Sequence, residues 1–260
     1  MILDIYKDSF EFSAKKITTL LVMGVLSFFG FLIIPLIIVT GYNYNVIKSS
    51  IEGMINGGDV PPEIEGFKSL FINGLKYCVV IFCYNLIPFI LLAVNFQYPH
   101  IGLILLSLIL IFIGGIGIFI AIPHMASNGD SLKSAFSFKE LISIIKSIGV
   151  LNFIGSYIGI LIINFAIILV VSLILIAIFL ILGLTTYVFS TGGLLAISAF
   201  GNLVLFFVIT FIISPYMSLF YDRCSGADPR DGVGRRLAVL LPGPLPHPHG
   251  APHAAGLAGW

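Results

Sequence analysis

Asp59, Glu63 and Glu65 cluster in the segment GGDVPPEIEGFK. Carboxylates this close together are the donor type that holds Mg²⁺ at a phosphorylated substrate, so they are candidate loop acids for a lipid-modifying enzyme. A solvated connector stiffened by Pro61 and Pro62 would have the same composition, and it is the simpler account. A second candidate set is Asn85, Asn164 and Asn202, amides set in long apolar runs where they would line a polar path. An asparagine in such a run more commonly bonds a neighbouring helix or its own backbone. Cys78 and Cys83 lie about 140° apart around a helix and cannot share a ligand. His247, His249 and His253 stand among prolines, and no metal is assigned to them. The chain has no Gly-rich phosphate loop, no G-x-S-x-G and no H-E-x-x-H. The expectation is no catalytic residue, no metal, no cofactor and no enzyme.

The elements that carry these residues are overwhelmingly apolar. The chain is 58% hydrophobic and 10% charged, with mean hydropathy +1.11, against about 25% charged residues in a soluble domain. A soluble fold cannot hide that much apolar surface. Lipid is therefore the solvent for most of the chain, which excludes a soluble enzyme and a disordered regulator. A net charge of +1 gives no electrostatic case for nucleic acid.

Four apolar blocks meet the requirement of about 20 residues for crossing a bilayer. They cover residues 17–40, 77–94, 101–123 and 149–221, and the last contains no Asp, Glu, Lys, Arg or His. Its break falls at residues 185–193, where hydroxyls and paired glycines interrupt the aliphatic run, leaving spans near 150–182 and 194–220. One helix over 150–182 would be about 49 Å long, so it tilts, extends into the interface or folds as a hairpin. A single helix is preferred, because only Asn164 interrupts its aliphatic stretch. Backbone polar groups in hydrocarbon must be satisfied within the segment, which makes the spans helical. Pro35, Pro88 and Pro215 are expected to kink their spans. Gly155, Gly159, Gly114, Gly115 and Gly117 are expected to permit close packing.

Two further segments have the pattern of helices lying on a membrane surface. In residues 2–17, Ile2, Leu3, Tyr6, Phe10 and Ile17 share one arc, opposite Asp4, Lys7, Asp8, Glu11 and Lys15. In residues 138–148, Phe138, Leu141, Ile142, Ile145 and Ile148 oppose Lys139, Glu140, Ser143 and Lys146. Ser137 and Glu140 have the spacing of a capping box, and Asn128-Gly129-Asp130 is turn chemistry. The architecture is thus all-α: an integral membrane helical bundle with about five transmembrane helices and two interfacial amphipathic helices.

The lysines orient it. Lys48, Lys68, Lys133, Lys139 and Lys146 place their links in the cytoplasm, and 95–100 and 185–193 outside. Lys7, Lys15 and Lys16 leave two arrangements open. A plain first span with an outside amino terminus is simpler and preferred; a re-entrant first block bent near Gly30 or Pro35 would satisfy every lysine. That block is too long for a signal-peptide core and lacks a cleavage site.

Every lysine lies at or before Lys146 and every arginine at or after Arg223. After Tyr221 there is no Ile, Phe, Asn, Tyr or Lys, residues with A/T-rich codons. The sequence accordingly divides into a multi-pass membrane domain, 1–224, and a Pro/Gly/Ala-rich tail, 225–260, expected to be of frameshift, fusion or expression-vector origin, with a native Pro/Gly-rich tail as the alternative. Such a composition cannot bury enough apolar surface to order itself.

Residues 35–88 resemble an uncharacterised multi-pass membrane family found largely in methanogenic archaea. The residues that carry the resemblance are Gly41-Tyr42 at the end of a span, Lys48 where the family has arginine, and Gly57-Gly58. They continue with Pro61 to Glu65, Gly74-Leu75 and Pro88, and NGDSLKSAFSFKELI resembles the family's cytoplasmic helix. The resemblance covers about residues 1–222. It implies topology and an archaeal source, with no activity. The plan also resembles the non-catalytic membrane domain attached to some glycerophosphodiester phosphodiesterases. The expected function is an accessory or scaffolding module in the cell membrane, packing with lipid, itself or another membrane protein. The alternative is a permease for a small neutral or apolar solute.

Overall fold

A computed structural model describes residues 2–53, 58–187, 201 and 203–227. Nine helices follow one another among them, and no strand is present in these residues. They are α1 (Ile2–Ala14), α2 (Ile17–Phe28), α3 (Ile33–Glu52), α4 (Phe67–Gln97), α5 (Ile101–Ser127), the single turn α6 (Leu132–Ala135), α7 (Phe138–Ile148), α8 (Val150–Tyr187) and α9 (Leu203–Gly226). Helices α4, α5, α8 and α9 are each long and apolar enough to cross a membrane. The molecule is an all-helical membrane bundle.

The first apolar block takes a form that differs from the single unbroken helix of the preferred reading and bends near Gly30, as the alternative expected. It breaks into α2, a 3₁₀ turn (Phe29–Phe31) and α3. Lys15, just before α2, donates to the carbonyl of Asp59 at 2.8 Å. Gly53, just after α3, packs against the Asp59 carboxylate. Both ends of the α2–α3 pair thus meet the same residue, so the block is a helical hairpin. Its tip exposes Phe31, Leu32, Ile33 and Ile34, as a lipid-facing loop of side chains must. Pro35 lies in the first turn of α3, where a missing N–H costs nothing, so it starts a helix and does not kink one.

Two glycines hold this hairpin to the bundle. Gly41 on α3 faces the Leu70 carbonyl, and Gly74 on α4 faces the Ile37 carbonyl, so closely that a Cβ on either would collide with backbone. In lipid such backbone proximity supplies the van der Waals contact that apolar burial cannot. Pro215 has an analogous local effect on α9. It has no N–H for the carbonyl of Phe211, the helix widens into a π segment over Ile209–Ile213, and Gly24 of α2 packs onto Phe211.

The amino-terminal helix also differs from the expected surface helix. It stops at Ala14, and α2 leaves at 82° to it, so Ile17 belongs to another element. Its buried face is Ile5, Asp8, Ser9, Phe12 and Ser13; Asp8, assigned to the solvent arc, points inward, while Leu3 is exposed. Helix α7 has the expected bounds. The capping box does not form, because the Ser137 hydroxyl donates to the Lys133 carbonyl at 3.2 Å and Glu140 is drawn to His124. Gly149, at φ +97°, then turns the chain directly into α8, which is one helix of 38 residues, about 57 Å.

Buried side chains concentrate near one end. One cluster joins Ile5, Tyr44, Tyr77, Phe119, Tyr157 and Phe220, and a second joins Phe12, Met23, Tyr42, Val46, Leu70 and Leu219. Along α8, by contrast, no described side chain is buried between residues 161 and 181.

Candidate functional site: a polar junction at one end of the bundle

An arginine can enter an apolar interior only with its charge paired and its N–H groups bonded. Arg223, near the end of α9, is 2% exposed. Its Nε donates to Asp8 Oδ2 of α1 at 2.9 Å, and its Nη2 donates to Asp59 Oδ2 at 3.0 Å. The guanidinium also lies over the Phe12 ring, 4.8 Å from its centroid. One cation therefore ties together the amino-terminal helix, the 58–66 connector and the last described helix. Neighbouring bonds follow the same lines: Cys224 Sγ to Ser9 Oγ at 3.2 Å, Tyr42 hydroxyl to the Pro62 carbonyl at 2.8 Å, and Asn43 Nδ2 to Ser218 Oγ at 2.7 Å.

A second polar knot lies in the turn after α5. Asp130 takes a left-handed backbone, φ 61°, which aspartate tolerates better than most residues. Its carboxylate accepts from the Tyr44 hydroxyl at 2.6 Å and from Lys48 Nζ at 3.0 Å, and its carbonyl accepts from Lys76 at 2.9 Å. Burial alone would raise this carboxyl. The Tyr44 and Lys48 bonds and the charges of Lys48 and Lys76 outweigh that and hold it below the usual aspartate value. Beside it, His124 Nε2 lies 2.9 Å from Glu140 Oε2, and His124 Nδ1 lies 3.2 Å from Asn128 Nδ2. Lys15, Lys16, Lys48, Lys76 and Arg223 thus all make their bonds at one end.

The loop acids do not form one carboxylate site. Asp59 turns inward to Arg223, while Glu63 is exposed and pairs with Lys16 at 3.1 Å, which holds its carboxyl below the usual value. Glu65 is exposed. Among the described residues, no group of three or more His, Cys, Asp or Glu side chains converges as a metal site. Asn85 Nδ2 donates to the Ile81 carbonyl of its own helix at 2.9 Å, with Gly114 of α5 beside it. Asn164 is partly exposed on α8, and no bond joins it to Asn85. Asn202 lies outside the described residues. Cys78 lies 3.5 Å from Thr40 Oγ1, and Cys83 is exposed, so the two thiols do not meet.

Arg223 and Asp8 were the residues that sequence reasoning missed. In the sequence Arg223 falls at the change of composition, and Asp8 falls on the arc opposite the apolar residues of α1. The available signal was the Asp8, Ser9, Phe12, Ser13 face, which puts one acid among small polar groups and an aromatic ring. Ser225 and Gly226, beyond the boundary drawn at residue 224, continue α9, and Gly226 packs on Ser50 and Ile47. Residues 228–260 lie outside the described residues.

A family model described as "Protein of unknown function (DUF4013)" matches residues 26–180, more than half of the chain. No curated protein and no solved structure matches. The matched range holds Asp59 and Asp130; Asp8 and Arg223 lie on either side of it.

Proposed function

The chain belongs to the DUF4013 family of proteins of unknown function, and on that premise we propose that it is a non-enzymatic accessory or scaffolding module of the cell membrane, packing through α8 with a second copy or another membrane protein. The observation that carries this reading is the uneven use of the spans. Only 6% of the most apolar stretch of α8 is buried within the chain, against 22% in each of the other three spans. Several polar side chains elsewhere form internal bonds: Asn85 Nδ2 to its own helix, Asn43 Nδ2 to Ser218, and Arg223 to two acids. A helix with a face left open by the described residues and a cross-bonded, cation-rich end suits a membrane scaffold.

The positive-inside rule supports a cytoplasmic position for that end. Single cysteines at Gln97 and Ser134, with the native thiols replaced, then label from opposite sides.

The deciding experiment is disulfide scanning along α8 in native membranes, with cysteines from Ile162 to Ile176. A crosslinking pattern with period i, i+3, i+4, i+7 supports a packed helix face. Uniform absence of crosslinks removes the packing of two copies through α8. Saturable flux of a neutral solute through liposomes, lost in Asn85→Leu, would favour the permease instead.

A further inference from the structure

A groove enclosed by α4, α5 and α7 takes no part in the polar junction or in α8. Its volume is about 340 Å³, and its lining includes Ile87 and Pro88 of α4, Ile113 of α5, and Phe138 and Ile142 of α7. The Tyr84 ring forms one wall, and its hydroxyl is turned to the Ala135 carbonyl at 2.8 Å. The lining is therefore hydrocarbon, and Ile87, Ile113, Phe138 and Ile142 all remain exposed.

Helix α7 determines what meets the rim. At 100° per residue, Phe138, Leu141, Ile142 and Ile145 share an arc of about 100° toward the groove, and Lys139 and Lys146 follow about 40–60° beyond Ile142. Both lysines are exposed, and neither has an ion-pair partner among the described residues. The single acid of α7, Glu140, lies about 160° from Ile142 and is held by His124, so it does not neutralise them. On the α7 wheel the apolar slot is thus flanked by two cations with no ion-pair partner among the described residues.

We propose that this groove holds a hydrocarbon chain of an anionic phospholipid whose phosphate rests on Lys139 and Lys146. Lysine serves as a compact point charge for phosphate, and basic pockets beside spans favour anionic headgroups. A zwitterionic lipid fits the same slot but brings no net charge to the lysines. The inference does not depend on what α8 packs against.

The test is lipid binding to the full chain in dodecylmaltoside, followed by native mass spectrometry and by melting temperature. Dioleoyl-phosphatidylglycerol is titrated against dioleoyl-phosphatidylcholine. Phosphatidylglycerol binds more tightly, and Lys139→Gln/Lys146→Gln abolishes the preference, at about fivefold per lysine. Ile113→Trp, on an exposed groove wall, weakens both lipids. Because the two lysines are exposed and make no side-chain bond to the described residues, the double variant is expected to fold, and the lipid-free melting temperature checks that. Equal binding of the two lipids, or a preference that survives the double substitution, overturns the proposal.

Discussion

The junction around Arg223 and the long arm of α8 solve the problem of membrane residence in opposite ways. Around Arg223, a charge is excluded from water and matched by two carboxylates, a ring and a close-packed glycine. Along residues 161–181 of α8, the surface is almost wholly apolar; Ile163 and Ile167 touch the core cluster, and no described side chain of this stretch is buried. The difference shows which forces join helices in lipid. Apolar burial supplies no drive there, because lipid tails are as apolar as leucine; close backbone approach and polar bonds supply it. The junction has both, and α8 has them only in its first turns, where Tyr6 donates to the Ser156 carbonyl at 2.8 Å and Gly159 meets the Tyr6 ring.

If that contrast is correct, Arg223→Ala has the largest effect. It leaves Asp8 and Asp59 without their shared cation, and breaking such a buried pair costs about 3–5 kcal/mol. Denaturation in mixed micelles should show the loss, and Arg223→Lys should recover only part of it, since an ammonium cannot reproduce the guanidinium fork. An unchanged midpoint in Arg223→Ala would break the comparison.

Gly41→Leu should come next. The side chain has no space against the Leu70 carbonyl, and overpacking costs about 1–3 kcal/mol or more. Gly30→Leu, with open space around its Cα, is the matched control and should be near neutral in the same assay.

Acid titration sharpens the picture on a smaller scale. The Asp130 carboxyl titrates lower in the folded protein than in the unfolded chain. Its contribution to stability is therefore fully present above the unfolded value, about 3.9, and is lost as pH falls through the lower folded value. Asp130→Asn should remove this dependence and cost no more than about 1 kcal/mol at neutral pH, the scale of a partly exposed pair. A full acid dependence retained in Asp130→Asn would locate it elsewhere.

The smallest stability change belongs to α8. Phe165→Ala, at an exposed position, should shift unfolding by less than about 0.5 kcal/mol. The same variant should weaken association between copies or with a partner, read by energy transfer in membranes, wherever Phe165 lies on the packed face.

Much of the architecture was legible along the chain. The bounds of α7, the turn through Gly129 and Asp130, and the unbroken α8 all follow from patterns local to a few turns. So does the reading of Asn85, which bonds a carbonyl four residues away. The first block was harder, because a 24-residue apolar run satisfies a plain crossing as well as a hairpin. Its return was decided by Gly41 and Gly74 meeting backbone to backbone, and by Lys15 and Gly53 converging on Asp59.

Composition by itself determined the solvent, and the solvent determined the helices, since a backbone in hydrocarbon has no other partner for its N–H and C=O groups. Only the tertiary structure decided which charges are exposed and which are structural. Asp8 and Arg223 are 215 residues apart, and each alone reads as a surface residue of an amphipathic or terminal segment. Burying either one singly is prohibitive, and burying both is possible only once α1, α9 and the 58–66 connector meet. That meeting depends on every helix packed between them.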